Sequence, residues 1–123
     1  MKKKELLNNS PQCQTRIVAI KDTMSLLSGK WKVYILGTLM HGGKMRFMDL
    51  TREVEGIGTK MLSKELQDLE ANLLIKRTVL NTKPMSVEYE LTEYGQTLEK
   101  VITEIMIWGQ QYRQTVFHSN KED

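Results

Sequence analysis

The chain has one cysteine, two prolines, two histidines and no long apolar run, and each scarcity narrows what it can be. A single thiol, Cys13, cannot build an internal disulfide framework, which argues for a reducing, cytoplasmic home. Two prolines beside a 40 % hydrophobic share argue against disorder. No apolar run reaches the roughly 18 residues that a membrane span needs. The opening "MKKKELLNNSPQC" is basic but has no apolar h-region, so no secretory signal is expected. His41 and His118 stand far apart, without a second cysteine, an HExxH or paired carboxylates, so no metal site is expected. A Gly-rich phosphate loop and a nucleophile elbow are both missing. These absences argue against an enzyme, and no cofactor is expected. There are no internal repeats and no low-complexity tracts.

What is present suits one domain. A chain of 123 residues buries roughly two thirds of its unfolded surface, enough for a modest core. The net charge is only +3, but it is unevenly spread. Lys30 to Lys83 carries ten Lys/Arg against six acids, a balance of +4. From Pro84 onward there are three bases and seven acids, a balance of −4. A basic middle beside an acidic end suits a protein with one face toward a polyanion.

Apolar spacing orders the elements. Ile17, Ile20, Met24 and Leu27 recur at helical spacing, and Ser28-Gly29 stops them. Trp31, Ile35, Leu36 and Leu39 restart the pattern, and His41-Gly42-Gly43 ends it. Phe47, Leu50 and Val54 mark a short helix from Arg46 to Val54, and "EGIG" is a tight turn. Thr59 is the expected cap of the next helix, which ends near Asn72. The period then falls to two. "LIKRTVL" and "VEYEL" read as strands joined by the turn "NTKPMS", a β-hairpin. Thr92 is the expected cap of a last long helix starting at Glu93.

The segment "GIGTKMLSKELQDLEANLL" carries the chemistry. At about 100° per residue, Leu62, Leu66, Leu69 and Leu73 form one stripe. Lys60, Lys64, Gln67 and Ala71 lie opposite, Ser63 at the edge and Thr59 at the start. A short helix, a glycine turn, this helix and a hairpin make a winged helix-turn-helix. The expected fold is therefore mainly α with a small β-hairpin (α+β). The major groove of double-stranded DNA admits one such helix. Lysine suits guanine or phosphate, glutamine suits adenine, and hydroxyls suit either. The expected DNA-facing set is Thr59, Lys60, Ser63, Lys64 and Gln67. Arg46 begins the bracing helix, and Asn81, Thr82 and Lys83 form the hairpin tip. A winged-helix scaffold for protein–protein contact is the alternative, but that role needs no lysines on this face.

The motifs "GKWKVYIL", "RFMDL", "GIGTKMLSKELQDLE", "LIKRTV" and "VEYELTEYG" follow one another in order. Together they resemble the HxlR-type winged helix-turn-helix transcriptional regulators of bacteria. The resemblance implies a homodimeric DNA-binding regulator whose N- and C-terminal helices form the dimer interface. It implies boundaries at 1–16 for an arm with the cysteine, 17–95 for the DNA-binding domain and 96–123 for a dimerisation helix and tail. Some proteins of this type use a cysteine in this region to sense oxidants, quinones or aldehydes, which makes Cys13 a redox-sensing candidate. The family often has "CP" there, whereas Cys13 is followed by Gln14.

The last helix bears more apolar residues than one stripe needs. An exposed patch of this kind marks an interface. The expected dimer face is Ile17, Ile20, Met24, Val101, Ile102, Ile105, Trp108 and Tyr112, and a two-fold dimer calls for a palindromic operator. His41 is expected at a helix C-terminus and His118 in the tail. Met40, Met45, Met48 and Met61 are expected to fill an adaptable core or to line a pocket for an unidentified small-molecule effector.

Overall fold

The computed structural model describes residues 11–122, with side chains to Phe117. The first ten residues of the expected arm and the side chain of His118 lie outside the described residues. The order is α1 (Pro11–Leu26), α2 (Lys32–Gly42), β1 (Met45–Arg46), α3 (Phe47–Glu53), α4 (Thr59–Ala71), β2 (Ile75–Leu80) and β3 (Ser86–Leu91). A 3-10 turn (Gly95–Leu98) then leads into α5 (Glu99–Glu122). This is a mainly helical winged helix-turn-helix with a small antiparallel sheet, ordered β1-β3-β2.

The core is one cluster. It takes Ile35, Leu36 and Leu39 from α2, Leu50 and Val54 around α3, and Leu62, Leu66 and Leu69 from α4. Leu74, Ile75 and Tyr89 close it from the sheet side, and Ile102 from α5. Each fully buried Leu or Ile contributes about 1.5–3 kcal/mol. The helical spacing read from the apolar residues thus becomes the inward faces of three helices.

Several boundaries differ from those expected. α1 is described from Pro11, earlier than the helical spacing from Ile17 implied. Cys13 therefore lies inside a helix rather than in an arm before it. Gly58, in extended conformation, is the N-cap of α4, and Thr59 is its first helical residue. Leu73 does not join the leucine stripe. It sits just past the helix with φ +64° and is 69 % exposed, while Leu74 turns back into the core. The helix closes with Leu74 N–H donating to Leu69 O and Leu73 N–H to Glu70 O, both at 3.0 Å. A leucine in this left-handed conformation costs roughly 1–2 kcal/mol. The two-residue strand β1 was not expected. Two residues are too few to show a period, and pairing with Tyr89 and Glu88 is what makes them a strand.

Thr92 does not cap the long helix as expected: its Oγ1 accepts from Gly95 N–H at 2.8 Å, but Tyr94 stands at the N-cap of the 3-10 turn, and α5 starts at Glu99 rather than Glu93. Thr92 Oγ1 also donates to Leu73 O at 2.6 Å, and Thr92 N–H to Leu74 O at 3.1 Å. Gly95 passes so close that a Cβ there would stand 2.1 Å from Leu74 O. The end of α4 and the root of α5 are thus locked backbone to backbone.

One ion pair sits in the core. Lys32 Nζ donates to Glu65 Oε2 at 2.7 Å, with both side chains only 10 % exposed, and lies 3.4 Å from Asp68 Oδ2. The hydrogen bond to Glu65 raises the lysine's pKa above its ordinary value, outweighing the burial that lowers it. Because the folded pKa is raised, the pair's stabilisation is complete below the unfolded lysine's pKa of about 10.4 and is lost as pH climbs through the folded value. Glu65→Ala leaves a buried ammonium without its main partner, so it should destabilise the fold by roughly 3 kcal/mol. Urea unfolding at pH 7 measures that loss, and the deficit should shrink as the comparison is carried to pH values above the folded lysine's raised pKa. A loss that persists undiminished there would contradict the charge assignment.

Candidate nucleic-acid interface

Two helices and a turn set the geometry. Gly56 takes φ +91° in the turn between α3 and α4, a conformation that suits glycine. Tyr34 holds that turn from α2: its hydroxyl donates to Glu53 O and accepts from Glu55 N–H, both at 3.3 Å. Arg46 N–H donates to Asp49 Oδ2 at 3.1 Å and so closes the first turn of α3.

On α4, Leu62, Leu66 and Leu69 are at most 1 % exposed. Thr59, Lys60, Lys64, Gln67 and Ala71 are exposed, and Ser63 is half-buried at the edge. Among the described residues, Lys60 and Lys64 enter none of the four ion pairs, so their charge is uncompensated. Glu65 is the acid of α4 nearest the leucine stripe, and Lys32 neutralises it. The polar side of this helix is therefore wet and carries two unpaired cations.

The hairpin tip, Asn81 to Met85, is exposed. Thr82 Oγ1 donates to Pro84 O at 2.7 Å and lies 3.3 Å from Ser86 Oγ, so its hydroxyl holds the turn. Asn81 and Lys83 stay open to solvent. The register places Arg46 opposite Glu88, one residue out of step with Tyr89 and Arg77. Arg46 therefore lies on the other face of the sheet, separate from the α4 residues. A cleft between α4 and the sheet does gather two expected residues, Ser63 and Gln67, with one that the sequence reading left out, Arg77. Their meeting depends on strand register, which no short motif reports. Lys32 and Glu65 were also missed. The available signal was Lys32's position three, four and seven residues before Ile35, Leu36 and Leu39, on the buried stripe of α2.

The expected dimer residues divide into two groups. Ile17, Ile20 and Met24 on α1 are 47–60 % exposed, and that helix buries none of its residues. On α5, Val101, Ile105, Trp108 and Tyr112 are 43–66 % exposed, with the last two rings stacked at 5.4 Å. Ile102 lies elsewhere. It is 9 % exposed, packs in the chain's own core near Gly37, and is unavailable to a partner. Cys13, half-buried, shares the α1 stripe with Ile17, Ile20 and Met24 at about 100° per residue. The methionines also divide. Met40 and Met45 pack against the core and border an open cleft of about 840 Å³ between α2 and α5. Met48 and Met61 are 61 % and 41 % exposed and fill no core. His41 lies in the last turn of α2. Among the described residues, no helix is long and apolar enough to cross a membrane.

Comparison with known proteins fits this geometry. The model of the HxlR-like helix-turn-helix family matches residues 26–117. The HTH-type transcriptional regulator YtcD of Bacillus subtilis is 40 % identical over 100 residues, spanning 81 % of this chain and 79 % of its own. The structure of the redox regulator HypR in its reduced form superimposes with TM-score 0.75 at 33 % identity, covering 81 % of this chain and 98 % of that one. The reduced form of the transcriptional regulator YodB from B. subtilis gives TM-score 0.67 at 36 % identity, covering 76 % and 91 %.

Proposed function

The chain belongs to the HxlR-like helix-turn-helix family of transcriptional regulators, and from that premise we propose that it binds a palindromic operator as a homodimer. The observation that carries the reading is the two-sided character of α4. Its leucines are sealed in the core, while Thr59, Lys60, Lys64 and Gln67 face water and Ser63 lies half-buried at their edge. Placed in a major groove, Gln67 pairs with adenine, Lys60 and Lys64 with guanine or phosphate, and the hydroxyls with either. Asn81, Thr82 and Lys83 at the hairpin tip meet the flanking minor groove or its phosphates, and Arg46 meets the backbone beside the bracing helix. Selection of bound genomic fragments with the purified protein supplies the operator. On that operator, Lys64→Ala should weaken binding to specific and scrambled DNA alike and reduce the salt slope by about 1. Gln67→Ala should relax discrimination at one base, at about 1–3 kcal/mol. Binding isotherms across salt concentrations read both, and unchanged affinities would refute the groove assignment.

The uncovered stripes of α1 and α5 supply the dimer. Ile17, Ile20 and Met24 with Val101, Ile105, Trp108 and Tyr112 form an apolar surface that a second copy covers, and two-fold symmetry sets the recognition helices about 34 Å apart. Trp108→Glu with Ile105→Glu should convert the species from twice 14.3 kDa to a monomer and abolish tight operator binding. Light scattering decides the first point, and a double variant that stays dimeric would remove this interface.

Cys13 lies on the same stripe, so a modified sulfur alters the packing of that face. A disulfide joins it to the partner's cysteine or to a small thiol, each pair of thiols giving two electrons and two protons to the oxidant. Two of the relatives whose structures match are named as a redox regulator and as a diamide-treated regulator. Diamide should change the operator affinity of the wild type and leave Cys13→Ser unaffected. Equal responses in both would exclude a sensing role.

A further inference from the structure

We propose that Arg77, on the outer strand of the sheet, is a DNA-contacting residue that holds a backbone phosphate beside the recognition helix. The inference rests on the reading of α4 as the groove-entering helix and adds a contact from a different element.

Among the described residues β2 pairs only with β3, so it forms one edge of the sheet. Side chains alternate along it: Ile75, Arg77 and Val79 point to one face, and Lys76, Thr78 and Leu80 to the other. The register sets Ile75 opposite Leu91, Arg77 opposite Tyr89 and Val79 opposite Val87. Along this face, Ile75 is 2 % exposed, whereas Val79 is 44 % exposed. The face thus passes from core to solvent, and Arg77 stands where it opens. Its neighbour across the strand, Tyr89, is buried and gives the aliphatic stem a surface to lie on.

The opening is the cleft against α4, of about 430 Å³, walled by Ser63, Gln67 and Glu70 on one side and Arg77 and Tyr89 on the other. The Arg77 side chain forms no hydrogen bond or ion pair among the described residues, although Glu70 lines the same cleft. A guanidinium without a side-chain partner, a serine hydroxyl and a carboxamide line the same cleft. A planar cation with five donors suits a phosphate oxygen pair, and Ser63 adds a further donor. Glu70, one turn beyond Gln67, repels an anion from its own end and so favours a phosphate between Ser63 and Arg77. The groove that admits α4 is bordered by the sugar-phosphate strands, and the cleft flanks α4 on its wing side. Lys76 supplies the contrast. It has the same charge and sits one residue away, but on the sheet face that carries Arg46, in register with Glu90, and it does not line the cleft beside α4.

Arg77→Gln and Lys76→Gln remove one charge each and keep most of the stem. Both should fold, as checked by thermal unfolding. In operator-binding titrations across salt concentrations, Arg77→Gln should lose about tenfold in affinity and about 0.9 in salt slope. Lys76→Gln should stay within about twofold of wild type, as expected for a surface charge without a contact. Arg77→Lys should recover the salt slope, since a phosphate contact needs the positive charge. Equal small effects of the two glutamine variants, or an effect of Arg77→Gln on unfolding alone, would overturn the assignment while leaving the groove reading intact. A wild type that fails to bind any DNA would overturn both.

Discussion

One-sided burial of α4 is the constraint from which the other features follow. Three leucines at helical spacing are driven out of water into the same cluster as Ile35, Leu36 and Leu39, and this fixes the helix's rotation about its axis. Once the rotation is set, Lys60, Lys64 and Gln67 have nowhere to point but outward. A rotation of one residue, about 100°, would pull leucines into water and press a lysine into the core. The ion pair between Lys32 and Glu65 reinforces the same setting. Two charges left unpaired in the core would cost several kcal/mol, so the helix is bound to α2 by a polar contact as well as by its apolar stripe.

The junction behind α4 ties recognition to assembly. Thr92 bonds to the carbonyls of Leu73 and Leu74 and receives Gly95 N–H, while Gly95 leaves no room for a Cβ. The helix proposed to read DNA therefore ends on the segment from which the proposed dimer helix begins. In this arrangement a change in how α5 packs on a partner has a short covalent and hydrogen-bonded route to the position of α4. The strained φ of Leu73 belongs to this junction, because its carbonyl is aimed at Thr92.

Much of this was legible without coordinates. Apolar residues three and four apart marked α2, α3 and α4, and the switch to alternation marked the hairpin. What stayed hidden depends on contacts between distant segments. β1 exists only because β3 lies beside it. Ile102 and Ile105 look alike along α5, yet one packs near Gly37 in the core and the other faces solvent. Thr59 looked like a cap because its hydroxyl suits the role, but the chain had already turned helical there, with Gly58 taking the extended position before it.

The order of elements, the helix-turn-helix with its wing, and the separation of leucine from lysine on α4 were determined by the sequence itself, because helical and strand periods are local properties of the chain. Only the tertiary structure decided that Lys32 meets Glu65, that Arg77 opens beside Ser63 and Gln67, and that Ile102 turns inward. Each of these joins residues many positions apart, and the distance between them is set by how helices and sheet pack, which no window of neighbouring residues contains.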